Sequence, residues 1–136
     1  MINKNFFPTP SSIASKMYSY VSSYIDELHK SKDYRSITVL DPSAGKGDLL
    51  DTFKSRISSY GRYSTRDMFF AVEIEYDLQV ILRDKDFEIL GNDFLTESIA
   101  IVPDIIAMNP PFDNGAEHLL RAWELVIPGG HIVCLL

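Results

Sequence analysis

Residues 37–48 read Ile-Thr-Val-Leu-Asp-Pro-Ser-Ala-Gly-Lys-Gly-Asp and decide the fold. The apolar, β-branched run at 37–40 predicts a buried strand. Pro42 and the two glycines then break the pattern, and a helix is predicted from about Asp48. In an open parallel sheet, ligands bind outside the carboxyl ends of strands, where a helix N-terminus adds a positive dipole. The stretch therefore predicts a ligand-holding turn, although a purely structural turn would have the same pattern, and a phosphate-binding P-loop matches poorly.

Strand and helix patterns alternate along the rest of the chain. Four more apolar runs predict strands at residues 68–74, 87–90, 104–108 and 132–136. A first helix is expected with Thr9 as its N-cap and Pro10 as its first residue. Further helices are expected at residues 48–58, 75–85 and 117–126. Because each strand is a solid apolar run, we expect an α/β fold with a doubly wound, mostly parallel sheet, as one domain over residues 1–136.

Helical periodicity predicts which side chains face the core. In the first helix these are Ile13, Met17, Tyr20, Val21, Tyr24 and Leu28. In the helix at 75–85 they are Leu78, Ile81 and Leu82. In the last helix they are Leu119, Leu120, Trp123 and Val126, so Trp123 is expected in the core rather than on a ligand.

The charge balance bears on possible partners. The chain has 136 residues with 13 Lys and Arg against 19 Asp and Glu, which gives a net charge of −6. Such a domain repels a phosphate backbone on average, so a nucleic acid would need a local basic patch or another chain. The basic residues Lys54, Arg56, Arg62 and Arg66 are candidates for phosphate contacts, but a solvated surface is the better interpretation.

Other residue types exclude several classes of protein. A single cysteine, Cys134, excludes an internal disulfide and favours a cytoplasmic location. No apolar run reaches the roughly 18 residues of a membrane span, and the N-terminus lacks a signal-peptide core, so no membrane partner is expected. The three histidines do not have the spacing of metal ligands, so no metal site is expected.

Chemistry-bearing residues follow the later strands as well. Glu73 ends the second strand, where an acidic residue commonly takes the hydroxyls of a ribose. A solvated carboxylate is the alternative interpretation, and Glu75, in the connection beyond the strand end, is the rival residue. Asp93 and Phe94 follow the third strand, where a carboxylate and an aromatic ring can flank an exocyclic amine, although a polar turn with a core Phe is the alternative. Asn-Pro-Pro-Phe at 109–112 follows the fourth strand as a rigid loop with free carbonyls, an amide and a flat ring. This loop decides the interpretation, because a structural turn needs only one proline.

Together these motifs resemble the class I S-adenosylmethionine-dependent methyltransferases, most closely the enzymes that methylate adenine N6 in DNA. Phe-Phe-Pro-Thr-Pro at 6–10 resembles the N-terminal cofactor motif of that family. Residues 41–47 resemble its glycine-rich motif, with Ser43 in place of the first glycine, and residues 109–112 match its catalytic motif. The resemblance spans residues 6–136 and implies a Rossmann-like fold with S-adenosylmethionine as cofactor.

The resemblance also implies a role for each motif. Glu73 would hold the cofactor ribose, Ile74 would pack on its adenine, and Asp93 with Phe94 would contact the adenine amino edge. The other implied cofactor-binding residues are Phe7, Pro8, Thr9, Asp41, Pro42, Ser43, Ala44, Gly45, Gly47 and Asn109. The implied catalytic residues are Asn109, Pro110, Pro111 and Phe112. The Asn109 amide and the Pro110 carbonyl would accept the two N–H bonds of the target amine, and Phe112 would stack on a flipped base.

Two family features do not appear in these 136 residues. The sheet is expected to lack the last two of the usual seven strands, and the chain ends before any C-terminal target-recognition region, so we expect a C-terminally incomplete domain. The strand at 132–136 would then leave an open apolar edge, which predicts a partner chain or a dimer there.

Several alternatives stay open. Related enzymes with an Asn-Pro-Pro-aromatic motif methylate glutamine in release factors or guanine in RNA, but the N-terminal motif favours adenine, and DNA more than RNA. A truncated methyltransferase fold could also be a non-catalytic binding module. A nicotinamide-dependent dehydrogenase shares the predicted sheet but not the loop at 109–112.

Overall fold

Strands and helices alternate through residues 7–31, 36–58 and 67–136, which the computed structural model describes. The strands are β1 (Thr38–Asp41), β2 (Met68–Val72), β3 (Glu88–Gly91), β4 (Ile105–Met108) and β5 (His131–Cys134). The helices are α1 (Ser11–Lys30), α2 (Asp48–Ser58), α3 (Tyr76–Asp84) and α4 (Gly115–Leu125), and a 3-10 turn at Phe112–Asn114 precedes α4. Each predicted strand and helix is therefore present, with ends that differ by a few residues.

The five strands form one parallel sheet in the order β3-β2-β1-β4-β5. The chain enters at β1 in the middle, moves outward to β3, and then crosses back to β4 on the other side of β1. The strand order therefore reverses between β1 and β4, and the crevice at such a switch point is where ligands bind in open α/β sheets. The predicted doubly wound parallel fold is confirmed.

Two apolar layers cover the sheet. On one face, Val39 and Ile105 pack with α1 and α2, including the fully buried Ile25 and Phe53. On the other face, Leu40, Phe70, Ile106 and Met108 pack with Phe94 and with the inner side of α4. Successive strand residues thus enter opposite layers, which explains why the strands are continuous apolar runs.

The predicted helix faces are wrong at several positions. Tyr20, Leu120 and Trp123 are 69%, 66% and 77% exposed, and Ile81 is also exposed. The predicted Met17 and Val21 are buried, and the predicted Ile13, Tyr24, Leu28, Leu119 and Val126 are partly buried against the core. The buried positions that the pattern did not predict are Ala14, Tyr18, Ile25 and His29 in α1, and His118 and Ala122 in α4. Both helices carry more apolar positions than one contact face can cover, so periodicity alone chose some on the wrong side.

The start of α1 differs by one residue from the prediction. Helix α1 begins at Ser11 with Pro10 as its N-cap, because the Ala14 N–H donates to the Pro10 carbonyl at 2.9 Å. The predicted N-cap, Thr9, therefore lies one residue before the observed N-cap. Phe6, Arg62 and Arg66 lie outside the described residues. No helix in the described ranges is long and apolar enough to cross a membrane.

Candidate functional site

A cleft of about 250 Å³ opens where β1, β2, β3 and β4 end. Thirteen of the residues singled out in the sequence line it: Phe7, Pro8, Thr9, Pro42, Ser43, Ala44, Gly45, Glu73, Ile74, Asp93, Phe94, Asn109 and Pro111. Four do not: Asp41, Gly47, Pro110 and Phe112. Ten more lining residues were not predicted: Lys46, Asp48, Leu49, Val72, Glu75, Leu78, Asn92, Asp113, Asn114 and His118. The tertiary fold thus brings together motifs that are up to about a hundred residues apart.

Glu73 ties the glycine-rich turn to the end of β2. One carboxylate oxygen accepts the Gly45 N–H at 2.8 Å, and the other accepts the Glu75 N–H at 2.7 Å. Glu73 is 7% exposed, and burial raises the pKa of its carboxyl above the usual range. The turn is also held by the Ala44 N–H, which donates to the Val72 carbonyl at 3.0 Å. Glu73 is therefore a structural anchor of the cleft wall as well as a lining residue.

Asp41 lies beneath the cleft rather than in it. It is 2% exposed, and one carboxylate oxygen accepts the Ser43 N–H at 3.0 Å. Burial raises the pKa of Asp41 to about 7, with the nearby Glu73 carboxylate adding to the effect and the Ser43 hydrogen bond opposing it. The same surroundings, with burial first and Asp41 second, raise the pKa of the Cys134 thiol to about 11. Asp41 therefore shapes the turn at the end of β1 while its charge is poorly accommodated.

Asn109 is held by the N-terminal segment. Its side-chain nitrogen donates to the Phe7 carbonyl at 3.0 Å and to the Thr9 hydroxyl at 3.2 Å. The Ser43 hydroxyl donates to the Asn109 backbone carbonyl at 3.2 Å. Asn109 thus joins the N-terminal segment, the glycine-rich turn and the loop after β4 at one point in the cleft wall.

The ring of Phe112 stands outside the cleft lining and packs on Phe7. The two ring centroids are 4.5 Å apart, and Phe112 remains 70% exposed. Phe7 therefore covers part of Phe112, and the rest of that ring faces solvent. Pro110, by contrast, is buried.

Gln79 supports the cleft from α3. Its side-chain nitrogen donates to the Glu73 carbonyl at 2.6 Å and to the Asn92 side-chain oxygen at 2.7 Å. The side-chain carboxylate of Asp93, the next residue in the chain, accepts the Leu95 N–H at 3.0 Å and stabilises the turn after β3. Gln79 is buried, and a polar residue on the inner side of an amphipathic helix was the available signal for it.

His118, on α4, forms part of the cleft wall. It is 5% exposed, and its Nδ1 lies 2.9 Å from the Asn114 carbonyl. A carbonyl only accepts, so Nδ1 carries the hydrogen and Nε2 is the acceptor of the neutral ring. The imidazole also packs 5.7 Å from the ring of Phe94. Sequence reasoning missed His118 because the predicted inner face of α4 contained only apolar residues.

The cleft is acidic. Among the described residues, five carboxylates line it and one lysine does: Asp48, Glu73, Glu75, Asp93 and Asp113, with Lys46. Such a lining attracts a cationic ligand and disfavours a polyphosphate. The arrangement can therefore hold a positively charged small molecule near backbone amides and the Asn109 amide.

The parallel sheet with its flanking helices matches the Rossmann-like fold of class I S-adenosylmethionine-dependent methyltransferases. A protein from Listeria monocytogenes assigned to this class superposes with a TM-score of 0.68 at 17% identity, over 97% of this chain and 47% of that one. An amino pentose methyltransferase from Micromonospora echinaspora, solved with S-adenosylmethionine bound, has a TM-score of 0.58 at 16% identity, over 98% of this chain and 58% of that one. A protein from Pyrococcus horikoshii assigned as an RNA methyltransferase has a TM-score of 0.58 at 22% identity, over 88% of this chain and 58% of that one.

These similarities are similarities of fold. The chain spans about half the length of the solved structures that it matches. No protein-family model matches it, and no curated protein sequence does.

Proposed function

We propose that this chain binds S-adenosylmethionine in the cleft and transfers its methyl group to an exocyclic amino group, with adenine N6 in DNA as the first candidate acceptor. The observation that carries the proposal is the anchoring of Asn109. Both hydrogen bonds that its amide nitrogen donates go to the N-terminal segment, which leaves the amide oxygen as an acceptor for an incoming amine. An exocyclic amine held beside the cofactor cleft can donate one of its N–H bonds to such an acceptor.

The cleft suits this cofactor. The acidic lining complements a sulfonium and an ammonium group, and Gly45, at φ of +59°, lets the backbone approach a ligand closely. Glu73 would hold the ribose hydroxyls, Ile74, which is 60% exposed, would pack on the adenine, and Asp93 with Phe94 would contact its amino edge. The turn at residues 42–47, with Phe7 and Pro8, would enclose the methionine part. The cofactor, when bound, supplies a methyl group activated by its positive sulfur.

The residues of the loop after β4 would act on the acceptor. The lone pair of an adenine amino group is delocalised into the ring, so the amine is a weak nucleophile. The Asn109 amide oxygen would accept one of its N–H bonds and concentrate electron density on nitrogen. The resemblance assigns the second N–H to the carbonyl of Pro110, a residue that is buried and lies outside the cleft lining. The exposed part of Phe112 would stack on a base flipped from the duplex, a step that costs a few kcal/mol of unstacking. Positioning supplies the rest of the rate enhancement.

A labelled-methyl transfer assay tests the proposal. The acceptors are a DNA duplex that contains adenine and a duplex of G·C pairs alone, and calorimetry with S-adenosylhomocysteine measures cofactor binding separately. Asn109→Ala is expected to lower transfer by about a hundredfold or more, since removing one preorganised hydrogen-bond partner has that effect elsewhere. Binding of S-adenosylhomocysteine is expected to persist. Tyr20→Ala, on the exposed side of α1, is the matched control, and undiminished transfer by Asn109→Ala would remove the assigned role.

The charge of the site supports a second candidate acceptor. Lys54 lies 5.4 Å from the centre of the Phe87 ring, and Arg56 lies 5.9 Å from that of Tyr18, so both cations already pack on aromatic rings of this chain. An uncharged amide, such as a glutamine side chain in a protein, would meet less repulsion than a phosphate backbone. A glutamine peptide, with its asparagine counterpart as control, therefore belongs in the same assay. The same assay tests RNA as an acceptor. Binding of the cofactor without transfer to any acceptor would indicate a non-catalytic binding module.

We also propose a partner chain or a second copy at the open edge of the sheet. Within the described residues, β5 pairs only with β4, and Leu120 and Trp123 of the preceding helix, together with Leu136, are exposed. Pairing there would cover apolar surface and give the backbone N–H and C=O groups on the outer side of β5 hydrogen-bond partners. A cytoplasmic location and a single domain over residues 1–136 stay predictions.

A further inference from the structure

We propose that Thr9 is a positioning residue, which orients the Asn109 side-chain amide towards the amine that is methylated, rather than a contact to the methionine part of the cofactor. The inference rests on the proposed function, because it assigns Asn109 as the hydrogen-bond acceptor for the amine. It departs from the role that the resemblance implies for the N-terminal motif.

The hydrogen bonds determine which way round the amide lies. A backbone carbonyl can only accept, so the Asn109 atom 3.0 Å from the Phe7 carbonyl must be the NH₂ nitrogen. The same nitrogen lies 3.2 Å from the Thr9 hydroxyl oxygen. The reversed amide would place two acceptor oxygens against each other. With both contacts made, the amide oxygen of Asn109 must face away from the N-terminal segment.

Thr9 is well placed to hold this orientation. It is 8% exposed, and the following Pro10 restricts its backbone and caps α1. Its hydroxyl position is therefore set by the packing of α1 on the sheet. The Ser43 hydroxyl independently holds the Asn109 backbone carbonyl at 3.2 Å, so the rotation of the side-chain amide remains to be fixed. The Thr9 hydroxyl restricts that rotation together with the Phe7 carbonyl.

The first test compares Thr9→Val with Thr9→Ser in single-turnover methyl transfer. Valine keeps the branched shape and removes the hydroxyl, whereas serine keeps the hydroxyl. Thr9→Val is expected to slow transfer about tenfold, the typical effect of one lost hydrogen bond, and Thr9→Ser is expected to restore most of the rate. The affinity for S-adenosylhomocysteine is expected to change less than the rate. An affinity that weakens in proportion to the rate would make Thr9 a cofactor contact and overturn the proposal.

The second test does not depend on activity. The side-chain amide signals of Asn109 are assigned in a ¹⁵N-labelled sample by their loss in Asn109→Asp. In Thr9→Val, one of the two amide protons is expected to exchange faster with water, and in Thr9→Ser it is expected to stay protected. Unchanged exchange in Thr9→Val would overturn the proposal. If the wild-type chain neither bound S-adenosylhomocysteine nor transferred methyl groups while this response was seen, the proposed function would fail and the contact between Thr9 and Asn109 would stand.

Discussion

Replacing Asp41 with asparagine is expected to stabilise the protein at neutral and alkaline pH. The buried Asp41 side chain accepts the Ser43 N–H at 3.0 Å, and the oxygen of an asparagine can accept the same bond. The substitution therefore keeps the shape of the turn and removes a charge that is 2% exposed and faces Glu73. Buried charge without a cationic partner is costly, so its removal favours the folded state.

The size of the effect follows from the pKa of Asp41. Burial raises this pKa from 3.8 to about 7, so the folded state holds the proton more tightly than the unfolded state. Stability from this group is fully present below pH 3.8 and is lost as the pH rises towards 7. A difference of about three pH units, at about 1.4 kcal/mol each, comes to about 4 kcal/mol as an order of magnitude. The asparagine side chain of the variant cannot titrate, so the variant lacks this loss.

Urea denaturation at a series of pH values measures the effect. The free energy of unfolding of the wild type, relative to Asp41→Asn, is expected to fall by about 4 kcal/mol between about pH 4 and pH 8, with most of the fall before pH 7. Asp84→Asn, at the exposed end of α3, is the control and is expected to follow the wild-type curve. Parallel curves for the wild type and Asp41→Asn would refute the reasoning, because they would mean that the Asp41 charge costs nothing when buried.

Two further predictions concern a glycine and the open edge. Gly47→Ala is expected to destabilise the fold by about 2–4 kcal/mol in urea denaturation, because Gly47 has φ of +95° and a Cβ there would lie 3.0 Å from Leu82. Gly129→Ala is the control. Gly129 has φ of +82° but no atom lies near the added Cβ, so this variant should lose only about 1–2 kcal/mol. Equal losses in the two variants would contradict the steric part of this account. Trp123 is the only tryptophan, so its emission should shift to the blue with rising protein concentration if two copies pair beside it. Leu120→Lys should abolish the shift and Tyr20→Lys should not, whereas an emission independent of concentration would exclude a second copy and leave a different partner chain.

The strands were predictable because each is a short apolar run bounded by turn residues. Side chains on both faces of each strand are buried, in one apolar layer or the other. The strand is therefore a continuous apolar run, and it can be recognised without knowing which side chain enters which layer. The motifs after β1, β2, β3 and β4 were likewise predictable as neighbours, since parallel strands bring their carboxyl ends to one edge. The cleft accordingly contains thirteen of the predicted residues.

The helix faces and the supporting polar residues were not predictable in the same way. Helix α4 offers apolar side chains over most of its circumference, and only its packing decides that Ala122 is buried and Trp123 is 77% exposed. Gln79 and His118 have no motif of their own. Their importance comes from hydrogen bonds to residues on other elements, which no local pattern contains.

The order of apolar runs, turns and motifs by itself determined the parallel α/β fold and the edge of the sheet where a ligand would bind, because strand character and turn chemistry are local properties. Only the tertiary structure decided how the site is held together. It set Glu73 as an anchor of the glycine-rich turn, placed Asp41 beneath the cleft, and joined Asn109 to Thr9 across a hundred residues. These relations depend on distance, burial and hydrogen-bond direction between segments far apart in the chain, and those quantities exist only once the sheet has assembled.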